Sequence, residues 1–323
     1  MSPESNTGRT AQRIRFSSMS LRRATVWIAL ALTIIGMILI EPAIIAPRQW
    51  PILLRQAAPL GMLAIGQTVL IIGRGFDLSV GGVVGFVNVL AAGDFAQQYG
   101  AGAVIVLCLV VGFLVGVTNG AIVGFGRVSP LVATLGTGFV LTGAMLIYTG
   151  GAPTGNIPEG IRVLSRGRLF NMPFAVYIWV VSSFVVGIAL RKTWVGRHVY
   201  AIGSSPEASE YAGVRVPWVQ LGSHVLSSVC AVIGGLLLAG FVGIGTLGAG
   251  QDLMLNSLAA AVVGGTILSG GVGGMSGTVG GAILLTFLSA LLTGAGVGAA
   301  GNFLTQGLVL LGAAALFREF GRS

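Results

Sequence analysis

Long uncharged stretches separated by short polar breaks dominate the pattern of residues along this chain. The longest runs from Leu253 to Phe317, 65 positions without a charged side chain. About 20 consecutive apolar residues suffice for one helical crossing of the roughly 30 Å hydrocarbon core of a bilayer. This stretch is long enough for three crossings, with glycine-rich breaks near Ser269–Gly274 and Thr293–Gly301 where the chain can turn. The pattern therefore places much of the protein in lipid.

Further apolar runs, interrupted by Gly, Pro and charged residues, bring the prediction to about ten transmembrane helices. The alternating pattern of an outer-membrane β-barrel is absent, so the predicted fold class is all-α and polytopic. The 53 glycines suit closely packed membrane helices, in which small residues let backbones approach. The predicted helices cover residues 24–45, 52–73, 79–97, 102–124, 130–149, 174–191, 217–243, 252–268, 276–293 and 302–318.

Charge divides the chain into a basic cytoplasmic tail, residues 1–23, and a transmembrane domain, residues 24–323. Only 8% of the residues are charged, and the net charge is +9. A basic balance is also found in nucleic-acid-binding proteins, but here the positive-inside rule accounts for it. With the N-terminus in the cytoplasm, 13 of the 18 basic residues fall in cytoplasmic segments and 5 outside, which predicts that both termini are cytoplasmic. Because more spans follow, a retained first helix is favoured over a cleaved signal peptide.

Two connections between the predicted helices are long, an outer loop at 150–172 and a cytoplasmic loop at 192–216. Within the cytoplasmic loop, Pro206 opens a stretch with two Glu residues that ends at Gly213, which predicts a short helix of about two turns. This helix has little core of its own to join. Its composition is compatible with docking a cytoplasmic partner and equally with lying passively on the lipid headgroups.

The predicted helices two to five and seven to ten form two groups of four that are compatible with an internal repeat. Each group contains Asp-Leu after a glycine-rich stretch, at Gly73–Leu78 and at Gly248–Leu253. These segments fall on opposite faces in the predicted topology. The repeat would then be inverted, an architecture that is common in transporters.

Motifs for nucleotide binding and catalysis are missing from the sequence. Lys192 is the only lysine and lacks the glycine that precedes the lysine of a P-loop, so the chain is not its own P-loop ATPase. His198 and His224 are too few and too isolated for a metal site. Cys108 and Cys230 lie inside apolar runs and are interpreted as small buried hydrophobic residues. We expect no enzyme activity, no metal and no cofactor bound by this chain.

Two segments of the sequence resemble signatures of the ribose-type permeases of ABC transporters. The first is Gly66–Gly81, in which a glycine-rich turn leads into Asp77–Leu78–Ser79, and the second is Gly196–Val214 in the cytoplasmic loop. Ala260–Gly274 is also similar to a stretch of that family. Together the resemblance covers most of residues 50–315.

The resemblance implies a division of labour among several subunits. The permease forms the solute path as a dimer, of two copies or of this chain with a sister permease. A separate ATPase subunit holds ATP and Mg²⁺ at the cytoplasmic face, and an extracytoplasmic sugar-binding protein delivers a monosaccharide. The location implied is the bacterial cytoplasmic (inner) membrane. Arg74 and Phe76 depart from the family pattern, in which a small residue and Ile are usual, and they indicate a divergent subgroup.

Asp77 is the most informative single residue, because a carboxylate in a membrane helix costs roughly 2.5 kcal/mol or more and is usually functional or paired. It either caps the helix that starts near Ser79, pairs with Arg74 or contacts the solute. Capping is the preferred interpretation, followed by gating or coupling and then by direct sugar contact. The predicted signature and gating residues are Gln67, Asp77, Leu78, Ser79 and Gly81.

Neutral polar residues inside the spans are the candidates for a solute path, because a sugar in transit needs replacements for its hydrogen bonds with water. Interhelical hydrogen bonding is the alternative role for such residues, worth roughly 0.6 kcal/mol each. The predicted path residues are Asn88, Asn119, Asn256 and Thr266.

Both long loops carry predicted partner contacts. By resemblance, the cytoplasmic loop contains the coupling helix that sits in a groove of the ATPase. The predicted coupling residues are Gly203, Glu207, Ala208, Tyr211, Ala212 and Gly213. In the outer loop, charged residues are predicted to dock the binding protein, with ordinary solvated loop charge as the alternative. They are Glu159, Arg162, Arg166 and Arg168.

The prediction is a non-catalytic membrane-spanning permease subunit of a monosaccharide ABC importer. A secondary carrier is the alternative from another class, since inverted repeats and broken helices fit it equally well. A proton-coupled carrier usually keeps several ionisable groups in the membrane, whereas Asp77 and Asp252 are nearly alone here. Within the resemblance, a nucleoside, an amino acid or a signal sugar is the alternative solute.

Overall fold

The computed structural model describes residues 25–40, 42–298, 300–305, 307–308 and 312. The predicted basic tail and most of the predicted helix 302–318 lie outside these residues. Six of the described helices are long and apolar enough to cross a membrane, and three shorter apolar helices accompany them. The chain is therefore an all-α polytopic membrane protein, which confirms the predicted fold class.

The described helices follow the predicted order, with a short β-hairpin in the outer loop. The hairpin pairs β1 (Arg168–Leu169) with β2 (Met172–Pro173). A 3-10 turn, Pro42–Ile45, follows the first helix. The helices are α1 (Thr25–Ile40), α2 (Trp50–Ile72), α3 (Val80–Ala92), α4 (Asp94–Gly124), α5 (Pro130–Thr149), α6 (Glu159–Arg166), α7 (Phe174–Lys192), α8 (Trp194–Ser204), α9 (Pro206–Tyr211), α10 (Val216–Val242), α11 (Gln251–Val263) and α12 (Met275–Gly294).

Proline and glycine set several helix boundaries. Proline occupies the first helical turn of α2, α5 and α10, where its missing N–H would have no intrahelical acceptor. Gly150 and Gly243 end α5 and α10 in the left-handed conformation, with φ of 59° and 91°. Glycine adopts this conformation without the steric cost that a Cβ brings.

Helix α10 lies at the centre of the fold and packs most closely against α4 along a glycine seam. The seam consists of Gly112, Gly116, Gly120 and Gly124, spaced by four residues on one face of α4. A Cβ on Gly116 would lie 2.5 Å from the Cα of Val225, and one on Gly120 would lie 2.5 Å from the Cα of Leu221. Small residues at this spacing let two membrane helices approach backbone to backbone. At Gly116 and Gly120 the two helices therefore have no room for a side chain between them.

The two short helices α3 and α11 have 13 residues each, or about 20 Å, which is less than the thickness of a bilayer core. Their N-terminal ends meet, because a Cβ on Gly81 would lie 3.1 Å from the carbonyl oxygen of Gly250. α3 then ends against Gly155 of the outer loop, whereas α11 ends near Gly273, beside the C-terminal end of α2. They run in opposite directions and occupy corresponding places in the two groups of four predicted helices.

The structure corrects several predicted boundaries. The predicted helix 79–97 ends at Ala92, with the break at Gly93, and Gly100 kinks α4 with a φ of 79°. The predicted helix 252–268 ends at Val263, because Gly264 and Gly265 form a turn in which Gly265 has a φ of 90°. Helices α6 and α8 were not predicted. Both belong to the polar loops, where a search for long apolar runs gives no signal.

Candidate functional site

Asp77 lies in the turn between α2 and α3 and is completely buried. Its Oδ1 accepts hydrogen bonds from the backbone N–H of Ser79, at 2.8 Å, and from the Ser79 hydroxyl, at 2.5 Å. Its Oδ2 accepts a hydrogen bond from the hydroxyl of Ser227 on α10, at 3.1 Å. The carboxylate thus closes a tight Asx turn immediately before α3, because it bonds to the residue preceding the helix rather than to the first helical N–H groups.

Further side chains from α2, α4 and α5 extend this arrangement into a network around the turn, which we call the Asp77 network. Gln67 donates from Nε2 to the carbonyl oxygen of Asp77, at 2.5 Å, and accepts from its N–H, at 3.2 Å. Asn119 donates to the Ser79 hydroxyl, at 2.9 Å, and accepts from the Thr137 hydroxyl, at 2.6 Å. The turn before α3 is therefore held by four surrounding helices.

The remaining predicted signature residues position the backbone of the same turn. The N–H of Leu78 donates to the hydroxyl of Thr134 on α5, at 3.0 Å. Gly81 provides the close approach to α11 described above. Arg74 does not pair with Asp77, because its guanidinium donates to the carbonyl oxygens of Gly203 and Ser204 at the end of α8. The predicted alternative of an Arg74–Asp77 ion pair is therefore wrong.

Sequence analysis missed the contribution of α10 to this region. Ser227 completes the shell of Asp77, and His224 lies one turn away, buried, with both ring nitrogens without a hydrogen-bond partner among the described residues. A cavity of about 20 Å³ is lined by Gln220, Ser223 and His224. This volume is sufficient for one water molecule. The sequence signal for this contribution is a set of polar residues at helical spacing, Gln220, Ser223, His224 and Ser227.

The four predicted path residues have different surroundings. Asn88 is buried and bonds to the segment before α11, accepting from the N–H of Thr246 at 2.7 Å and donating to the carbonyl oxygen of Ile244 at 3.3 Å. Asn119 belongs to the Asp77 network. The hydroxyl of Thr266 is buried without a partner among the described residues. Asn88 and Asn119 therefore have the surroundings expected of interhelical hydrogen bonds. Of the four residues, Asn256 alone lines a larger open groove.

The groove that contains Asn256 has a volume of about 590 Å³ and lies between α2, α11 and α12. Small-molecule sites in proteins commonly have volumes of about 300–1,000 Å³. Its other polar lining residues can donate to or accept from a hydroxyl group. They are Gln49, Gln56, Thr286, Ser289 and Thr293.

The predicted coupling residues lie at the end of the molecule formed by α8 and α9. Ser205 caps α9, since its hydroxyl accepts from the N–H of Ala208 at 3.2 Å and donates to the Glu207 carboxylate at 3.2 Å. The pKa of Glu207 is lowered by its own backbone N–H, by the Ser205 hydroxyl and by the charge of Arg74. Tyr211 is 94% exposed, whereas Gly203 is buried. The other predicted coupling residues are exposed, namely Glu207, Ala208, Ala212 and Gly213.

The predicted docking residues lie at the opposite end, in and after α6. Arg162 donates to the carbonyl oxygen of Gly243, at 3.3 Å, and Arg166 to that of Phe241, at 2.7 Å. Both arginines thus satisfy carbonyls at the C-terminal end of α10, where a positive charge is favourable. Glu159 and Arg168 are exposed. Within the residues that the structure describes, no group of three or more His, Cys, Asp or Glu is arranged to hold a metal ion.

Comparison with known proteins gives consistent results. Residues 52–314 match a family model described as "Branched-chain amino acid transport system / permease component". The ribose import permease protein of Bacillus subtilis (strain 168) is 30% identical over 77% of this chain and 78% of that protein. The galactofuranose transporter permease protein of Escherichia coli (strain K12) is 30% identical over 69% of this chain and 70% of that protein. The autoinducer 2 import system permease protein of Salmonella typhi is 29% identical over 74% of this chain and 69% of that protein. No solved structure matches.

Proposed function

This chain belongs to the family of branched-chain amino acid transport system permease components, and on that premise we propose that it is the permease subunit of an ABC importer for a monosaccharide. The observation that carries the proposal is the similarity, along 69–77% of the chain, to permeases named for ribose import and for galactofuranose transport. The substrate class is a small polyhydroxylated sugar. Neutral hydrogen-bonding groups, such as those of the Asn256 groove, suit a ligand of this kind.

As a permease, the chain is non-catalytic and supplies the path through the inner membrane. ATP and Mg²⁺ are held by a partner ATPase, and an extracytoplasmic solute-binding protein delivers the sugar. The end formed by α8 and α9 faces the cytoplasm, together with both termini, in agreement with the distribution of positive charge. Two permease subunits associate, as two copies or as this chain with a sister permease.

The surface proposed for the ATPase is the exposed face of α9 with the turn that follows it. Glu207, Ala208 and Tyr211 lie on this face, and Gly213 closes the turn with a φ of 83°. The N–H of Gly213 donates to the carbonyl oxygen of Glu210, at 2.9 Å, so the turn has a defined shape. A short capped helix with a large exposed aromatic side chain suits a groove on a partner protein.

A secondary carrier is the competing function, and the burial of carboxylates weighs against it. Among the residues that the structure describes, Asp77 is the one buried Asp or Glu. Both of its oxygens accept hydrogen bonds from serine residues. A proton-coupled carrier relays protons through several ionisable groups in its spans.

Gentle detergent purification of the tagged chain from its native membrane, followed by mass spectrometry of co-purifying proteins, tests the proposed function. We expect an ATPase with the ABC signature, one ATPase domain for each permease chain. Purification of the chain alone, under conditions in which a known ABC importer stays intact, would contradict the proposal and favour the carrier.

Arg168 provides a test of binding-protein docking at the outer end. It is exposed, and with Arg55 and Arg166 it forms a positive cluster in which the charges act on one another. We expect Arg168→Glu to slow association of the binding protein about tenfold at low ionic strength, with a smaller effect as salt is added. Surface plasmon resonance with the permease in nanodiscs measures this rate.

The control is Arg127→Glu, the same charge reversal at the opposite end of the molecule. It should leave association of the binding protein unchanged. An equal association rate for Arg168→Glu and the wild type at low salt would remove this cluster from docking.

A further inference from the structure

Three backbone turns meet beside the start of α9, the proposed coupling helix. They are the end of α2 at Ile72–Arg74, the end of α8 at Gly203–Ser204, and the turn before α12 at Gly270–Gly271. The N–H of Gly271 donates to the carbonyl oxygen of Ile72, at 2.8 Å. In addition, the hydroxyl of Tyr200 on α8 donates to the carbonyl oxygen of Gly273, at 2.9 Å. We call this meeting point the three-turn junction.

Glycine at position 203 is what allows the junction to form. A Cβ there would collide with the carbonyl oxygen of Ile72 and with the backbone nitrogen of Gly271. The main chain of α8 is therefore in direct contact with the other two turns. Because their backbone atoms are in direct contact, a small displacement of one turn is transmitted to the other two.

Among the described residues, Arg74 alone bridges two parts of the junction through hydrogen bonds to successive carbonyls. Its Nε donates to the carbonyl oxygen of Gly203 and its Nη2 to that of Ser204, both at 2.8 Å. The fork of the guanidinium suits two neighbouring acceptors, and its charge is favourable at the C-terminal end of a helix. Its stem packs against Gly270, where an added Cβ would collide with the Arg74 Cγ.

The backbone of Arg74 is in an unusual conformation that the side-chain contacts hold in place. Its φ is 64°, in the left-handed region that glycine adopts readily and that is sterically unfavourable for other residues. A residue with a Cβ is disfavoured at this position unless its side chain compensates.

We propose that Arg74 is a positioning residue that fastens the coupling segment to the turn before α3. Asp77 lies three positions after Arg74, so a displacement of α9 would reach the Asp77 network and the start of α3 through this side chain. The proposal rests on the proposed function. Arg74 thereby sets how much solute moves for each ATP hydrolysed, and it does not contribute to docking of the ATPase.

The test uses Arg74→Gly in the complete complex, reconstituted in vesicles with the co-purified ATPase and binding protein. Glycine removes both hydrogen bonds and relaxes the φ of 64°, so the variant is expected to fold. We expect normal recovery of the ATPase and near-normal ATP hydrolysis, but about tenfold less uptake per ATP, since hydrogen bonds from a charged group are lost. Arg74→Lys, which cannot span both carbonyls, should give an intermediate ratio.

Arg127 provides a matched control. It has a φ of 53°, follows α4 at the same end of the molecule, and makes no side-chain hydrogen bond among the described residues. Arg127→Gly removes the same charge and the same backbone strain, and its uptake per ATP should equal that of the wild type. The proposal is overturned if Arg74→Gly keeps the wild-type ratio, if it loses the ATPase, or if Arg127→Gly lowers the ratio equally. Failure of the wild type to bind any ATPase would instead contradict the proposed function.

Discussion

Asp77→Asn is expected to lower solute uptake at least about tenfold, while the protein still inserts in the membrane and binds its partners. The amide oxygen can take the place of Oδ1 and accept from Ser79. The amide nitrogen then faces the hydroxyl of Ser227, which must reverse its hydrogen bond and become the acceptor. The variant keeps the shape of the turn but loses the negative charge at the start of α3. Uptake of labelled sugar by vesicles containing the complete complex measures the effect.

Asp252→Asn is the matched control for this variant. Asp252 lies in the first turn of α11, the counterpart of α3, but it is exposed. Its carboxylate makes no hydrogen bond among the described residues, so uptake should stay within about twofold of the wild type. Wild-type uptake by Asp77→Asn would remove the charge of Asp77 from the mechanism, and a loss of the assembled complex would show that its role is structural.

Tyr211→Ala is expected to weaken binding of the ATPase at least about thirtyfold, in keeping with the effect of losing an aromatic hot spot. The side chain is 94% exposed on a short helix whose start is capped by Ser205. Because the helix is held by that cap and by the Gly213 turn, removal of the ring should leave the fold intact. Titration of purified ATPase against the permease in nanodiscs gives the dissociation constant.

Phe170 provides a control, because it is also an exposed aromatic side chain and lies at the other end of the molecule. It is 89% exposed at the tip of the β1–β2 hairpin. Phe170→Ala should leave the ATPase affinity unchanged. If Tyr211→Ala binds the ATPase as tightly as the wild type does, α9 is not the main contact.

The order of the helices could be predicted because each span is a long apolar run, and lipid demands such runs. Contacts between close neighbours in the chain could also be predicted, because Asp77 and Ser79 are two positions apart. The partners Asn119, Thr137 and Ser227 could not be predicted, because helix rotation and packing bring them to the turn from distant parts of the chain. Interhelical hydrogen bonds leave no local pattern in a sequence.

The direction in which charged side chains point was the other unpredictable feature. Proximity in sequence predicts Arg74 as one possible partner for Asp77, yet its guanidinium reaches α8. The loop charges predict Arg162 and Arg166 as docking residues, yet both bond to the end of α10. In each case a carbonyl at the C-terminal end of a helix competes for the cation, and only the packing of the helices reveals that acceptor.

The glycine seam between α4 and α10 has a consequence for motion during the transport cycle. Three glycines of the seam are each seated against a particular backbone position of α10, namely Gly116 against Val225, Gly120 against Leu221 and Gly124 against Pro217. Sliding by even one residue would drive side chains into main chain, so shear between these two helices is blocked. α4 and α10 therefore move together as one rigid unit. Conformational change during transport occurs by rotation of this unit as a whole and by hinges at its ends, where the Asp77 network joins it to α3.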